Sequence, residues 1–139
     1  MNQRINPRTV AIAQRSFERL RPDVEAFSRS FYTRLFQIDP ALEVLFPTDL
    51  DSQRSKLVAM LDQMVGHLSD WDALLSESQA LGVRHAGYGA RPHHYVGVGS
   101  ALIWALERHL GPHFTPEVRD SWREVYEVFF RAMTDNRGQ

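Results

Sequence analysis

The chain has 139 residues, 43% hydrophobic and 24% charged, the composition of one soluble globular domain large enough to bury a real core. Sixteen basic residues against seventeen acidic ones leave a net charge of -1, so no positive field favours nucleic acid or an anionic membrane surface. Cysteine is absent, which excludes disulfide frameworks, thiolate metal sites and thiol nucleophiles together.

The amino terminus, MNQRINPRTVAIAQRSFERL, lacks the apolar core and cleavage site of a secretory signal, and no apolar run is long enough to span a bilayer. A cytoplasmic location is therefore expected. Each stretch between proline or glycine punctuation carries a helical period and none alternates as a half-buried strand would, so the fold class is all-α.

Asn6-Pro7 places a capping residue before a proline at the first helical position, and Val10, Ala13, Phe17 and Leu20 mark one face of the helix that follows. Arg21-Pro22 ends it. A second helix from about Asp23 carries Val24, Phe27, Phe31 and Leu35, with Tyr32 and Phe36 widening the stripe. Asp39-Pro40 opens a short helical turn, ALEVLF. After a break at Pro47 to Asp49, Leu57, Met60, Leu61, Met64, Val65 and Leu68 give the clearest amphipathic pattern in the chain.

Asp70 caps a further segment whose apolar line runs through Leu74, Ser78, Leu81 and His85 to glycines at 87 and 89. Pro92 starts a helix through Tyr95, Val98, Leu102, Leu106 and Leu110, which Gly111-Pro112 ends. Thr115-Pro116-Glu117 starts the last, with Val118, Trp122, Val125, Phe129 and Met133 facing inward. Six long helices and one short one, joined by brief connections, are expected to share one core. Eight Phe, four Tyr and three Trp supply more apolar surface than neighbouring helices need, so a further group to cover is expected.

His85 is the first candidate for chemistry. At the end of a helix it can cap carbonyls, where a polar or positive group is favoured. On an apolar face it also has what an axial ligand to haem iron needs, a neutral and sheltered imidazole. Residue type alone leaves both readings open. His93 and His94 point about 100° apart on a helix and cannot converge on one ion, so they are expected to face solvent. His67, His109 and His113 are scattered without a carboxylate at ligand spacing, which makes a zinc site a poor expectation. Tyr32 is a core tyrosine or a pocket donor, Gln53 a frayed first-turn residue or a second donor, and Phe46 before Pro47 is held extended. No serine, histidine and acid stand together at a nucleophile elbow, and no glycine loop could cradle phosphate, so a self-sufficient hydrolase is not expected.

The segments SFYTRLFQIDPALEVLFP, SQRSKLVAML, LGVRHAGYGARPHHYVGVG and SWREVYEVFF follow in an order that resembles single-domain bacterial globins. The resemblance is to the haem domain of flavohaemoglobins and to neuroglobin-like globins, from about Arg15 to Met133. It implies a globin fold over residues 1–139 with a haem b cofactor. His85 becomes the proximal iron ligand, Phe46 the ring stacked on the porphyrin, and Tyr32 and Gln53 the distal polar pair. Leu57 walls the distal side, and Tyr95 and Val98 border the proximal side. Lys56 or Arg84 could pair with a propionate.

Oxygen, nitric oxide and carbon monoxide are the implied ligands. Tyr32 and Gln53, donating in a water-poor pocket, would slow oxygen release. Flavohaemoglobins place a glutamate near the end of the last helix against the proximal histidine, whereas TDNRGQ offers Asp135 and Arg137, so peroxidase-like push is not implied. Neuroglobins use a second histidine, but position 53 is glutamine and His67 lies about 21 Å further along the helix, so histidine hexacoordination is not expected. The chain is expected to end where the globin ends, so nitric oxide dioxygenation would draw on a reductase in trans. A gas sensor signalling to a partner and a haem-free interaction module remain alternatives, and the sequence leaves monomer or homodimer open. Whether Gln53 or Arg54 faces the pocket is also left open.

Overall fold

The computed structural model describes residues 5–46, 50–87 and 94–135, without the side chains of Leu45, residues 85–87 and residues 134–135. Among them are six α-helices: α1 (Pro7–Leu20), α2 (Val24–Ile38), α3 (Leu50–Gly66), α4 (Trp71–Gly87), α5 (His94–Leu110) and α6 (Pro116–Asp135). Short 3-10 turns lie at Arg21–Asp23, Pro40–Leu45 and Gly111–His113. The expected six long helices and one short turn are all present, and the all-α class holds. Pro47, Asp49, Tyr88, Gly89, Pro92, His93 and Arg137 fall outside the described residues, as do the side chains of His85 and Asp135.

The ends of the helices follow local chemistry. The Asn6 side chain accepts from the Arg8 N–H at 2.8 Å, with Pro7 opening α1. Asp70 accepts from the Ala73 N–H at 3.3 Å to start α4, and the Thr115 hydroxyl accepts from the Val118 N–H at 3.2 Å to start α6. No helix among the described residues is long and apolar enough to cross a membrane.

The core is the set of faces read from the sequence. Val10, Ala13, Phe17 and Leu20 of α1, Phe27, Phe31 and Leu35 of α2, Leu102, Leu106 and Leu110 of α5, and Trp122, Val125 and Phe129 of α6 are all buried. Trp122 is the bulkiest of them. Its indole N–H donates to the Ser16 hydroxyl at 2.7 Å, and Ser16 donates onward to the Ala13 carbonyl at 3.0 Å. This chain leaves no buried polar atom of the pair unpaired, which is what allows a tryptophan to sit at the α1/α6 seam.

Helix α2 packs mainly on α5, α1 on α6, and α4 on α6. Gly82 makes the α4 to α6 approach possible, because a methyl group there would run into the backbone carbonyl of Met133. At the opposite end α3 is fastened to α1 and its following turn. The Gln14 amide donates to the Val65 carbonyl at 3.0 Å, and Arg21 donates to Asp62 at 2.6 Å.

Candidate functional site

Helices α3 and α4 meet where α3 ends. There the Ser78 hydroxyl lies 3.7 Å from the Met64 sulfur, and Glu77 accepts from Gln63 at 2.6 Å and pairs with His67 at 2.9 Å. From this junction each helix leans on a different neighbour, α3 on α2 and α4 on α6, and α3 packs closely on neither α4 nor α5 among the described residues. Gln53 and Leu57 lie on α3, which packs on α2, and the end of α4, including position 85, belongs to the helix that packs on α6. The backbone at 85 is helical and stands in register with buried Leu74, Ser78 and Leu81.

Burial along α3 reflects the same divergence. Leu61, Met64 and Val65 are buried, whereas Leu57 and Met60 pack on the core and stay half-exposed. Phe46 and Val98 share that condition. Apolar side chains left half-covered on facing elements are what the sequence's surplus of apolar surface would produce around an additional hydrophobic group.

Tyr32 stands at the inner edge of this wall, 7% exposed. Its ring meets Phe31 at 5.0 Å, Phe46 at 5.6 Å and Phe36 at 6.0 Å between centroids. The two nearest are edge-on, the arrangement that ring quadrupoles favour. Burial among these rings raises the phenol to about 12, since the charged form would lose its water; Arg54 opposes the shift.

The Tyr32 hydroxyl donates to the Gln53 backbone carbonyl at 3.4 Å, well beyond the usual O–H···O distance of about 2.7–2.8 Å. The Gln53 side-chain amide, half-buried, makes no hydrogen bond to any described residue. Two polar donors thus stand near half-covered apolar side chains with little to bind. Arg54, 21% exposed, is instead tied to Asp51. Of the two neighbours, Gln53 has the side chain not already engaged.

The other expected residues divide. Tyr95 is buried against Phe130 at 5.5 Å, and its carbonyl accepts from the Tyr126 hydroxyl at 2.5 Å. Lys56 and Arg84 are exposed. His94 is half-buried with an interaction of its own, which corrects the expectation that it faces solvent. Tyr126 was not singled out from the sequence; an interior glycine at 99, against which its ring rests, was the available signal.

Two of the scattered histidines hold carboxylates brought from elsewhere in the chain. His67 pairs with Glu77, which raises its affinity for a proton. His109 lies between Asp23, 2.5 Å from its Nδ1, and the Ser30 hydroxyl, 2.8 Å from its Nε2. This serine, histidine and acid line was not expected. Ser30 is in the middle of α2, where neighbouring N–H groups are used by the helix and cannot serve as an oxyanion hole. The line clamps the last turn of α5 to α2. No group of three or more His, Asp or Glu placed to hold a metal ion occurs among the described residues.

The six helices pack in the globin fold. The globin family profile matches residues 29–133, and the chain belongs to the globin family. It is 32% identical to the neuroglobin of Danio rerio over 117 residues, 74% of each chain. It is 27% identical to a flavohemoprotein of Xylella fastidiosa over 138 residues, covering 97% of this chain and spanning only 34% of that protein. Among solved structures it superposes on an engineered carbene transferase made from a Rhodothermus marinus protein assigned as a nitric oxide dioxygenase. The TM-score is 0.84, with 24% identity over 96% of this chain and 94% of the other. At that identity the likeness is one of fold. Membership of the globin family implies a haem cofactor.

Proposed function

We propose that this globin holds haem b through His85 and receives diatomic ligands beside Tyr32 and Gln53. In this reading it is an oxygen-binding protein that also joins nitric oxide and oxygen into nitrate, with one electron per turnover from a separate reductase. The observation that carries the proposal is the pair of under-used donors, the Tyr32 hydroxyl and the Gln53 amide, near half-covered apolar side chains.

When bound, haem supplies ferrous iron with a coordination position for a small ligand. The protein's part follows from its side chains. Tyr32 stays protonated throughout the physiological range, so it acts as a fixed hydrogen-bond donor and not as a base. Gln53 adds a second donor that cannot titrate. Leu57 and Met60 exclude water, which strengthens both hydrogen bonds. Phe46, held among Tyr32 and Phe36, offers an aromatic face for the porphyrin. Val98 and Tyr95 line the opposite wall, and exposed Lys56 or Arg84 would meet a propionate at the rim.

The test is the absorption spectrum of the reduced protein with and without carbon monoxide, followed by nitric oxide consumption with added reductase. A ligand-dependent Soret shift and reductase-dependent nitrate formation are expected. A colourless protein would contradict the cofactor assignment. A coloured protein that turns over no nitric oxide but captures a partner only when ligated would shift the reading to a gas sensor.

A further inference from the structure

On the far side of Tyr95, a cavity of 410 Å³ lies between α2, α5 and α6. Arg34 enters it from α2, Ile103 and Trp104 from α5, and Arg123 and Tyr126 from α6. Gly99 creates its floor, since a Cβ there would lie 2.7 Å from Cε2 of Tyr126. The Tyr126 hydroxyl is spent on the Tyr95 carbonyl at 2.5 Å, so the floor is an anchored ring face and not a free donor.

The walls are flat and apolar, and the charges at their edge are incompletely matched. The Arg34 guanidinium lies 5.4 Å from the Trp104 ring centroid, and that of Arg108 lies 5.3 Å from the same ring. Neither Arg34 nor Arg123 holds a carboxylate among the described residues, whereas Arg8, Arg21, Arg54 and Arg131 each do. Glu107 is the single carboxylate in the lining. Arg34 donates from Nη1 to Gln37 at 3.3 Å, and its Nε is buried with no acceptor at all. A desolvated, charged donor without a partner is costly and calls for an acceptor. Nε is closed off by the fold and Nη1 is directed to Gln37, so the remaining Nη is the part of Arg34 left to meet an acceptor in the cavity.

We propose that this cavity binds a small aromatic carboxylate, its ring laid against Trp104, Ile103 and Tyr126 and its carboxylate drawn between Arg34 and Arg123. The size is that of a small-molecule site, and planar apolar walls with convergent cations select a flat anion over a neutral or aliphatic one. Among the described residues assigned to the haem site, Tyr95 alone borders this cavity.

The test is a titration of the purified protein with 1-naphthoate and with its neutral isostere 1-naphthamide, read by the indole N–H resonance of Trp104 in a proton–nitrogen correlation spectrum. Trp104→Phe identifies the resonance. Naphthoate is expected to shift it saturably, with naphthamide at least about tenfold weaker, as the loss of one charge-assisted hydrogen-bond pair implies. Arg34→Gln and Arg123→Gln should each weaken naphthoate by about tenfold while far-ultraviolet circular dichroism is unchanged. Equal binding of acid and amide, binding undiminished in both arginine variants, or no saturable shift at millimolar ligand would each overturn the proposal.

Discussion

The Tyr32 hydroxyl points at the backbone carbonyl of Gln53 from 3.4 Å, close enough to be oriented by it and too far to be satisfied by it. The ring that carries it is buried among Phe31, Phe36 and Phe46, which limits the water available to the bond. A donor in this condition gains most when a ligand with a partial negative charge comes within reach.

Tyr32→Phe should therefore cost the apoprotein little stability, because the bond it removes is weak. Oxygen should leave the loaded protein about fivefold faster or more, corresponding to about 1 kcal/mol for one lost hydrogen bond. Stopped-flow displacement by carbon monoxide measures the rate. An unchanged rate would remove Tyr32 from the distal side.

The same burial has a consequence in alkali. In the unfolded chain Tyr32 ionises near 10, and in the fold near 12. Below pH 10 both states hold the proton. Between pH 10 and 12 the unfolded state releases it and the native state does not, so stability falls as pH rises through that window. Burial, and after it the neighbouring Tyr95 phenol, act on Tyr126 in the same direction. Phenolate absorbance should show two tyrosines that ionise only with, or after, unfolding.

His67 gives a slope of the same sign near neutrality. Glu77 raises its proton affinity in the fold, so this contribution to stability is complete below the unfolded value of about 6.5 and is lost as pH rises through the higher folded value. Glu77→Gln should flatten the pH dependence of the urea midpoint over that range. A slope identical to wild type would show that the pair carries no linkage.

Gly82 and Gly66 make a matched test of packing. Gly82→Ala forces a methyl into the Met133 carbonyl and should cost about 2 kcal/mol or more in urea unfolding. Gly66→Ala has nothing within 4 Å and should be neutral or mildly stabilising. Equal effects would mean that α4 and α6 separate easily.

The buried faces of α1, α2, α5 and α6 were legible because period and burial have the same cause, one stripe per helix turned to a shared core. The half-exposure of Leu57 and Met60 was not, since periodicity gives them the same weight as Leu61 and Met64 further along α3. Tyr32 and Gln53 could be picked out as polar groups on apolar faces, but their proximity depends on how α3 leans on α2. The pairs formed by His109 and His67, and the placement of Arg34 beside Trp104, join residues distant in sequence. A single chain read locally carries no sign of them, apart from the interior glycines that permit close approach.

The most direct test is haem retention by His85→Ala, measured as the ratio of haem to protein after gel filtration. The wild-type chain is expected to keep stoichiometric haem, whereas the variant, still helical by circular dichroism, is expected to lose it. A variant that holds haem with an unaltered reduced spectrum would contradict it, because the iron would then be held from some other residue.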